Sequence, residues 1–170
     1  MDPLVVAAAL GYRRLSRARW SAAAERVFAG PMGRALARAS RSFPVEERNP
    51  RSSLLYATEC LNRGEILIWF PESWRSPTGE LQRFLPGIGQ LVRDTGAAVV
   101  PARIAGTFEA LPRHRRWPRL TRLMITFGPA LAAVDLDAAG RQAQPAVLAG
   151  AVQQAVAALG EPAQRLDDAA

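Results

Sequence analysis

The chain has no lysine: all 22 of its basic residues are arginine. Together with the abundant alanine, this reads as a coding bias toward G and C, so arginine content alone carries no functional weight. There is one cysteine, Cys60, which excludes an internal disulfide and a cysteine-based metal cluster and fits a reducing compartment. Cys60 reads as core filler rather than a nucleophile. There is one histidine, His114, with arginines on both sides that favour its neutral form. The residue five places after it is Arg119, not an acid. No run of about 18 apolar residues occurs, so nothing here is expected to span a membrane. The apolar stretch 4–12 is followed by Arg13 and Arg14 instead of being preceded by them, the reverse of a secretory signal.

What is present suits one domain. A chain of 170 residues can bury roughly two thirds of its unfolded surface in a single core. The net charge of +7 creates a field that attracts anions without choosing among phosphate esters, lipid headgroups and nucleic acid.

Helix and strand signals follow one another along the chain. Pro3 suits a first helical turn, and the apolar run behind it is expected to stop at Gly11. Residues 21–41 read as helix broken at Gly30-Pro31, and Phe43-Pro44-Val45 as a short extended piece. Asn49-Pro50 is an N-cap and first-turn proline, with Leu54, Thr58 and Leu61 on one face and Gly64 as the stop. The nearly continuous apolar run 65–70 then predicts a strand buried on both faces of a parallel sheet.

A loop and a helix from Gly87 to Thr95 follow, with Ile88, Leu91 and Val92 inward and Gly96 ending it. Residues 97–104 read as the next strand, joined to the first by a right-handed crossover and so parallel to it, although Pro101 interrupts the pattern. Alternation at 123–127 predicts a third strand. Residues 145–159 predict a packing helix with Leu148, Val152, Val156 and Leu159 on one face. The fold class is α/β, a mostly parallel sheet flanked by helices, organised as residues 1–130 and a connector with C-terminal helix at 131–170.

The most informative stretch is Phe70-Pro71-Glu72-Ser73-Trp74-Arg75-Ser76, at the C-terminal end of the first predicted strand, where open α/β sheets bind ligands. It resembles the F-P-E-G-T-R-S signature of the glycerolipid acyltransferases, with Ser73-Trp74 where glycine and threonine are usual. Gly79, Leu81, Phe84 and Gly87 follow in the family's order, and Gly96-Ala97-Ala98-Val99-Val100-Pro101 looks like its V-V-P-V block. The resemblance covers residues 2–128.

That resemblance implies an acyltransferase of the 1-acylglycerol-3-phosphate type, moving a fatty acyl group from acyl-CoA or acyl carrier protein onto a lysophospholipid hydroxyl, with no cofactor. The family's base is a histidine five residues before an aspartate. Asp2-Pro3 resembles the aspartate end of that motif, so the histidine is expected four residues upstream of Met1, in a chain truncated at its start. By the same match Glu72 and Ser73 belong to the substrate site, and Arg75 is a phosphate ligand whose guanidinium can make two parallel charged hydrogen bonds. Arg48, after Phe43-Pro44-Val45-Glu46-Glu47, resembles a second phosphate ligand one residue displaced. Trp74 adds a ring beside the site.

The basic loop at 113–119 around Trp117 could rest on anionic headgroups, which would put the protein at the inner, cytoplasmic face of a membrane. Two other readings stay open. One is a non-catalytic lipid-binding or phosphate-binding remnant of the fold. The other is a nucleic-acid binder, for which the chain shows no helix-turn-helix, aromatic RNA-binding motif or metal spacing.

Overall fold

The computed structural model describes residues 2–23, 30–45, 50–72, 74, 76–112, 117–132 and 143–160. In chain order the elements are α1 (Asp2–Leu15), β1 (Ala18–Ala23), α2 (Gly30–Ala39), β2 (Ser42–Val45), α3 (Pro50–Asn62), β3 (Ile66–Ile68), α4 (Gly87–Thr95), β4 (Ala102–Ala105), α5 (Thr107–Ala110), β5 (Met124–Phe127) and α6 (Pro145–Ala158).

Three strands form a parallel sheet in the order β2-β1-β3, with Trp20 opposite Ser42 on one side and Ile68 on the other. β2 is an edge strand, which is where Pro44 can sit without leaving a gap in a central ladder. β4 and β5 pair antiparallel as a separate two-stranded ladder.

The apolar run through β3 packs on both sides but is half-buried, not buried as its lack of alternation predicts, because β3 is an edge strand of its sheet. Ile68 and Phe70 join Val6 of α1, Ala18 and Trp20 of β1, and Ile104 and Ile125 of the second ladder. Leu67 and Trp69 face the other way and pack with Phe43, Leu54, Ala57 and Leu91 beneath α3 and α4. A third cluster joins α4 to α6 through Phe84, Val92, Leu148, Val152 and Val156. Gly89 is buried at that crossing, where any side chain would run into the Pro145 carbonyl.

Helix ends follow the punctuation in the sequence. Gly96 takes the left-handed conformation at φ 66 and donates its N–H to the Val92 carbonyl at 2.9 Å, closing α4. Gly11 breaks helical geometry at φ 70, ψ 160 as its position predicts, yet the helix resumes and runs to Leu15.

Two expectations are corrected. Residues 18–23 are the central strand β1, not the lead into a helix over 21–41, and only Gly30–Ala39 is helical there. An Ala-Arg-Trp-Ser-Ala-Ala segment has little intrinsic strand preference, and its position between two parallel neighbours decides its conformation. The strand expected over 97–104 is shortened to Ala102–Ala105 and pairs antiparallel with β5, so no parallel β3–β4 ladder forms. Pro101 offers no N–H, and its carbonyl accepts instead from Gly128 at 2.8 Å, while Val99 bridges to Leu131.

Candidate active site

Chain geometry brings the first residues to the signature loop. α1 is two helical pieces joined at the Gly11 kink, and Val6 of its first piece packs with Ala18 and Trp20 of β1. A tight turn joins α1 to β1, with Ser16 N–H bonded to the Tyr12 carbonyl and Arg17 N–H to that of Arg14. A helix that packs on the strand following it after so short a turn runs back along it. Its first residue therefore returns to the C-terminal edge of the parallel sheet, the edge at which β3 delivers Phe70-Pro71-Glu72.

The loop leaving β3 is closed at its base. Phe70 N–H donates to the Ser21 hydroxyl at 3.4 Å, and Leu85 N–H donates to the Pro71 carbonyl at 2.9 Å. Glu72 accepts the Gln82 N–H on Oε2 at 2.8 Å, and its carbonyl accepts from Trp74 N–H at 2.7 Å. Further out, Ser76 Oγ accepts from Gly79 N–H at 2.9 Å. The returning arm is braced by α6, where Gln153 Oε1 accepts the Phe84 N–H at 3.0 Å.

Glu72 is half-buried, and burial pushes its carboxyl above the ordinary value of 4.5. The Gln82 N–H opposes that push, the negative charge of Asp2 adds to it, and Arg103 on β4 draws it back. Asp2 and Glu72, distant in sequence, thus lie within electrostatic reach of each other at one end of the sheet. Glu72 forms no ion pair among the described residues. A half-buried carboxyl with one oxygen held by the backbone is ready to accept a hydrogen bond from a ligand hydroxyl or to meet a cation.

Of the residues singled out from sequence, Asp2 and Glu72 lie within electrostatic reach of each other, and Trp74 lies in the same turn as Glu72, partly exposed. Ser73, Arg75 and Arg48 lie outside the described residues, as do Arg113, His114, Arg115 and Arg116. Cys60 is buried and its thiol is pushed up, chiefly by burial, as suits core filler. No group of three or more His, Cys, Asp or Glu that could hold a metal occurs among the described residues.

Sequence reasoning missed Gln82, Gln153 and Arg103. The Gln82 side-chain Nε2 is buried without a hydrogen-bond partner beside the loop it helps to fix. Arg103 reaches the C-terminal end of α6, donating to the Ala157 carbonyl at 3.3 Å. The polarity of residue 103 in an otherwise apolar strand is the one sequence signal that could have drawn attention to it.

Next to this end of α1 lies an open groove of about 500 Å³, lined by Leu4, Val5, Ala8 and Ala9 of the helix and by Leu123 and Ile125 of the β5 segment. Its lining side chains are all apolar, and it begins one residue beyond Pro3.

Comparison with known proteins adds to this geometry. The family model described as Acyltransferase matches residues 1–105. Over 72 residues, 41% of this chain, the sequence is 36% identical to a chloroplastic 1-acyl-sn-glycerol-3-phosphate acyltransferase of Arabidopsis thaliana and 32% identical to one of Brassica napus. Those matches cover 20% and 21% of the two plant proteins. The crystal structure of the 1-acyl-sn-glycerophosphate acyltransferase of Thermotoga maritima superimposes with a TM-score of 0.66 at 20% identity, covering 86% of this chain and 58% of that one, a likeness of fold.

Proposed function

This chain belongs to the acyltransferase family, and on that premise we propose that it acts in the transfer of a fatty acyl group from an acyl thioester to the hydroxyl of a lysophospholipid or related glycerol-phosphate acceptor. The observation that carries the reading is that Asp2 lies within electrostatic reach of Glu72, which follows β3 of the parallel sheet, beside an apolar groove.

Direct acyl transfer needs a base to take the acceptor's proton, a group that orients the base, and donors for the negative charge that develops on the thioester oxygen. In this reading the base is an imidazole, and Asp2 orients it and stabilises its protonated form. The acceptor oxygen attacks the thioester carbon, the thiolate leaves, and the imidazolium returns its proton to the sulfur. Glu72 accepts a hydrogen bond from a glycerol hydroxyl. Arg75 binds the phosphate, Arg48 is a second phosphate ligand, and Ser73 donates a hydrogen bond from the same turn. The groove beside Leu4 gives an acyl chain an apolar bed starting next to the reacting atoms. The donor is acyl-CoA or acyl carrier protein, and no cofactor is required.

A second reading, a binding module without turnover, is favoured by His114 having Arg119 and not an acid five residues on. Thioester consumption separates the two. Turnover in a form extended upstream by its natural coding sequence, lost in Asp2→Asn, supports acyl transfer. Lysophospholipid binding with no turnover in either form supports the module. Full turnover by the 170 residues alone would remove the role given to Asp2. Arg75→Ala should weaken binding of the acceptor far more than that of the donor, and equal effects on both would remove its phosphate role.

A further inference from the structure

Arg103 has no part in these steps, although its position is closely set. Ile104 beside it packs with Val6, Ile68 and Phe70, so the alternation of β4 turns the side chain of residue 103 to the opposite face, toward α6. There its Nη1 donates to the Ala157 carbonyl at 3.3 Å, in the last turn of α6. Gly160 lies directly against the guanidinium, which fills the space that a Cβ at residue 160 would need. The carbonyl end of a helix carries a partial negative charge that suits a cation, so this seat fixes the side chain without neutralising it. Arg103 is partly buried and has no ion pair among the described residues.

The same side of α6 holds the signature loop. Gln153, one helical turn before Ala157, accepts the Phe84 N–H, and Phe84 belongs to the arm whose Gln82 N–H rests on Glu72. One helix thus sets the place of the arginine and of the Glu72 arm together. In accord with that placement, the charge of Arg103 acts on the Glu72 carboxyl although the two form no direct pair. With Nη1 on the helix carbonyl, the edge formed by Nε and Nη2 is left without a partner among the described residues. That edge is the one from which a guanidinium makes two parallel hydrogen bonds to an anion. A phosphate ester that enters beside Asp2 and Glu72 meets like charges and needs a cation held in place to offset them.

We infer that Arg103, seated on the last turn of α6, is a phosphate-binding residue of the candidate site, its Nε–Nη2 edge taking two oxygens of a phosphate ester carried by one of the substrates. The ester belongs either to a glycerol-phosphate acceptor or to the phosphopantetheine arm of a thioester donor, and the same chemistry recognises both. The inference rests on the acyl-transfer reading for the identity of these two esters. The seat itself lies beyond residues 1–105, which the family model matches, so the family resemblance does not supply it.

The test is calorimetric binding to the full chain of two matched pairs of probes, sn-glycerol 3-phosphate against glycerol and 4′-phosphopantetheine against pantetheine. In at least one pair the phosphate should tighten binding, and Arg103→Gln should cut that gain at least about tenfold while the phosphate-free member binds as before. The pair that responds identifies the substrate. Gly160→Ala leaves Arg103 in the chain but takes its place against α6, at a position whose backbone accepts alanine, and should lower the same gain by a smaller factor. Should Arg103→Gln fail to fold, Gly160→Ala decides alone. Arg63→Gln removes the same charge from the other end of β3 and should change neither pair. No gain from phosphate in the unaltered chain, a gain that survives the change at Arg103 or at Gly160, a gain lowered equally by Arg63→Gln, or an equal loss for both members of a pair would each overturn the inference. Thioester consumption is a separate measure. Turnover with a gain independent of Arg103 overturns the inference and leaves acyl transfer standing, and a gain that needs Arg103 without turnover does the reverse.

Discussion

The two ends of β3 carry one glutamate each, and they are built in opposite ways. Glu65, just before the strand, gives both carboxylate oxygens to Arg19 of β1 at 2.8 and 2.7 Å, and that pairing holds it below its ordinary value. Glu72, just after the strand, has one oxygen on a backbone N–H and no ion pair among the described residues, and burial holds it above. The first arrangement joins two neighbouring strands in register. The second keeps a carboxyl partly desolvated and available at the sheet edge where α1 begins. The two glutamates thus differ in their partners: Glu65 has both oxygens on one guanidinium, whereas Glu72, the one assigned to the proposed site, has no ion pair among the described residues.

Exchanging the roles should show the largest effect. Glu72→Gln keeps the shape and the Gln82 contact but loses the charge, and should lower kcat/KM about a hundredfold in the form that turns over. The same change should raise the unfolding free energy at neutral pH. A carboxyl with a raised folded pKa binds its proton more tightly folded than unfolded, so stability falls as pH rises through the window from 4.5 to the folded value, and the ionised group then costs stability. Loss of activity without that gain would break the contrast.

Arg19→Ala should cost about 2 kcal/mol in urea unfolding, because it strands a carboxylate that is largely shielded from water. It should leave acceptor affinity unchanged. Here the pH dependence runs the other way: Glu65, lowered in the fold, contributes stability above its unfolded value that disappears as pH falls through the folded one. In Arg19→Ala that acid-side loss should flatten.

Gln153→Ala should have the smallest effect, about 1 kcal/mol. It removes the acceptor for Phe84 N–H and loosens the arm that carries Gln82 to Glu72. A rise in the acceptor KM with kcat nearly unchanged would show that α6 positions the site from outside the family-matched residues.

The legible parts of the chain are those with local causes. α3, α4 and α6 carry their own apolar faces, α4 a closing glycine at Gly96, and β3 an unbroken apolar run, so each was readable within a residue or two, while the expected cap Asn49 lies outside the described residues. β1 was not readable, because Ala-Arg-Trp-Ser-Ala-Ala becomes a strand only when β2 and β3 flank it, and Arg19 finds Glu65 only once they do. Val99 and Val100 looked like strand interior, but Pro101 turned that stretch to a single bridge with Leu131. Of the residues assigned to the proposed site, Glu72 was picked out by its signature and Asp2 by its place ahead of a helix. Gln82, Gln153 and Arg103 act through contacts that cross the chain, and no local pattern marks them.

The most direct test is a carboxyl titration by carbon NMR of the intact chain and of Asp2→Asn. Glu72 should titrate above 4.5 and Glu65 below it, and removing the charge at residue 2 should bring Glu72 down while Glu65 stays where it was. A Glu72 that titrates no higher than Glu65, or that does not respond to the change at Asp2, would mean that α1 does not deliver its first carboxylate to the end of β3.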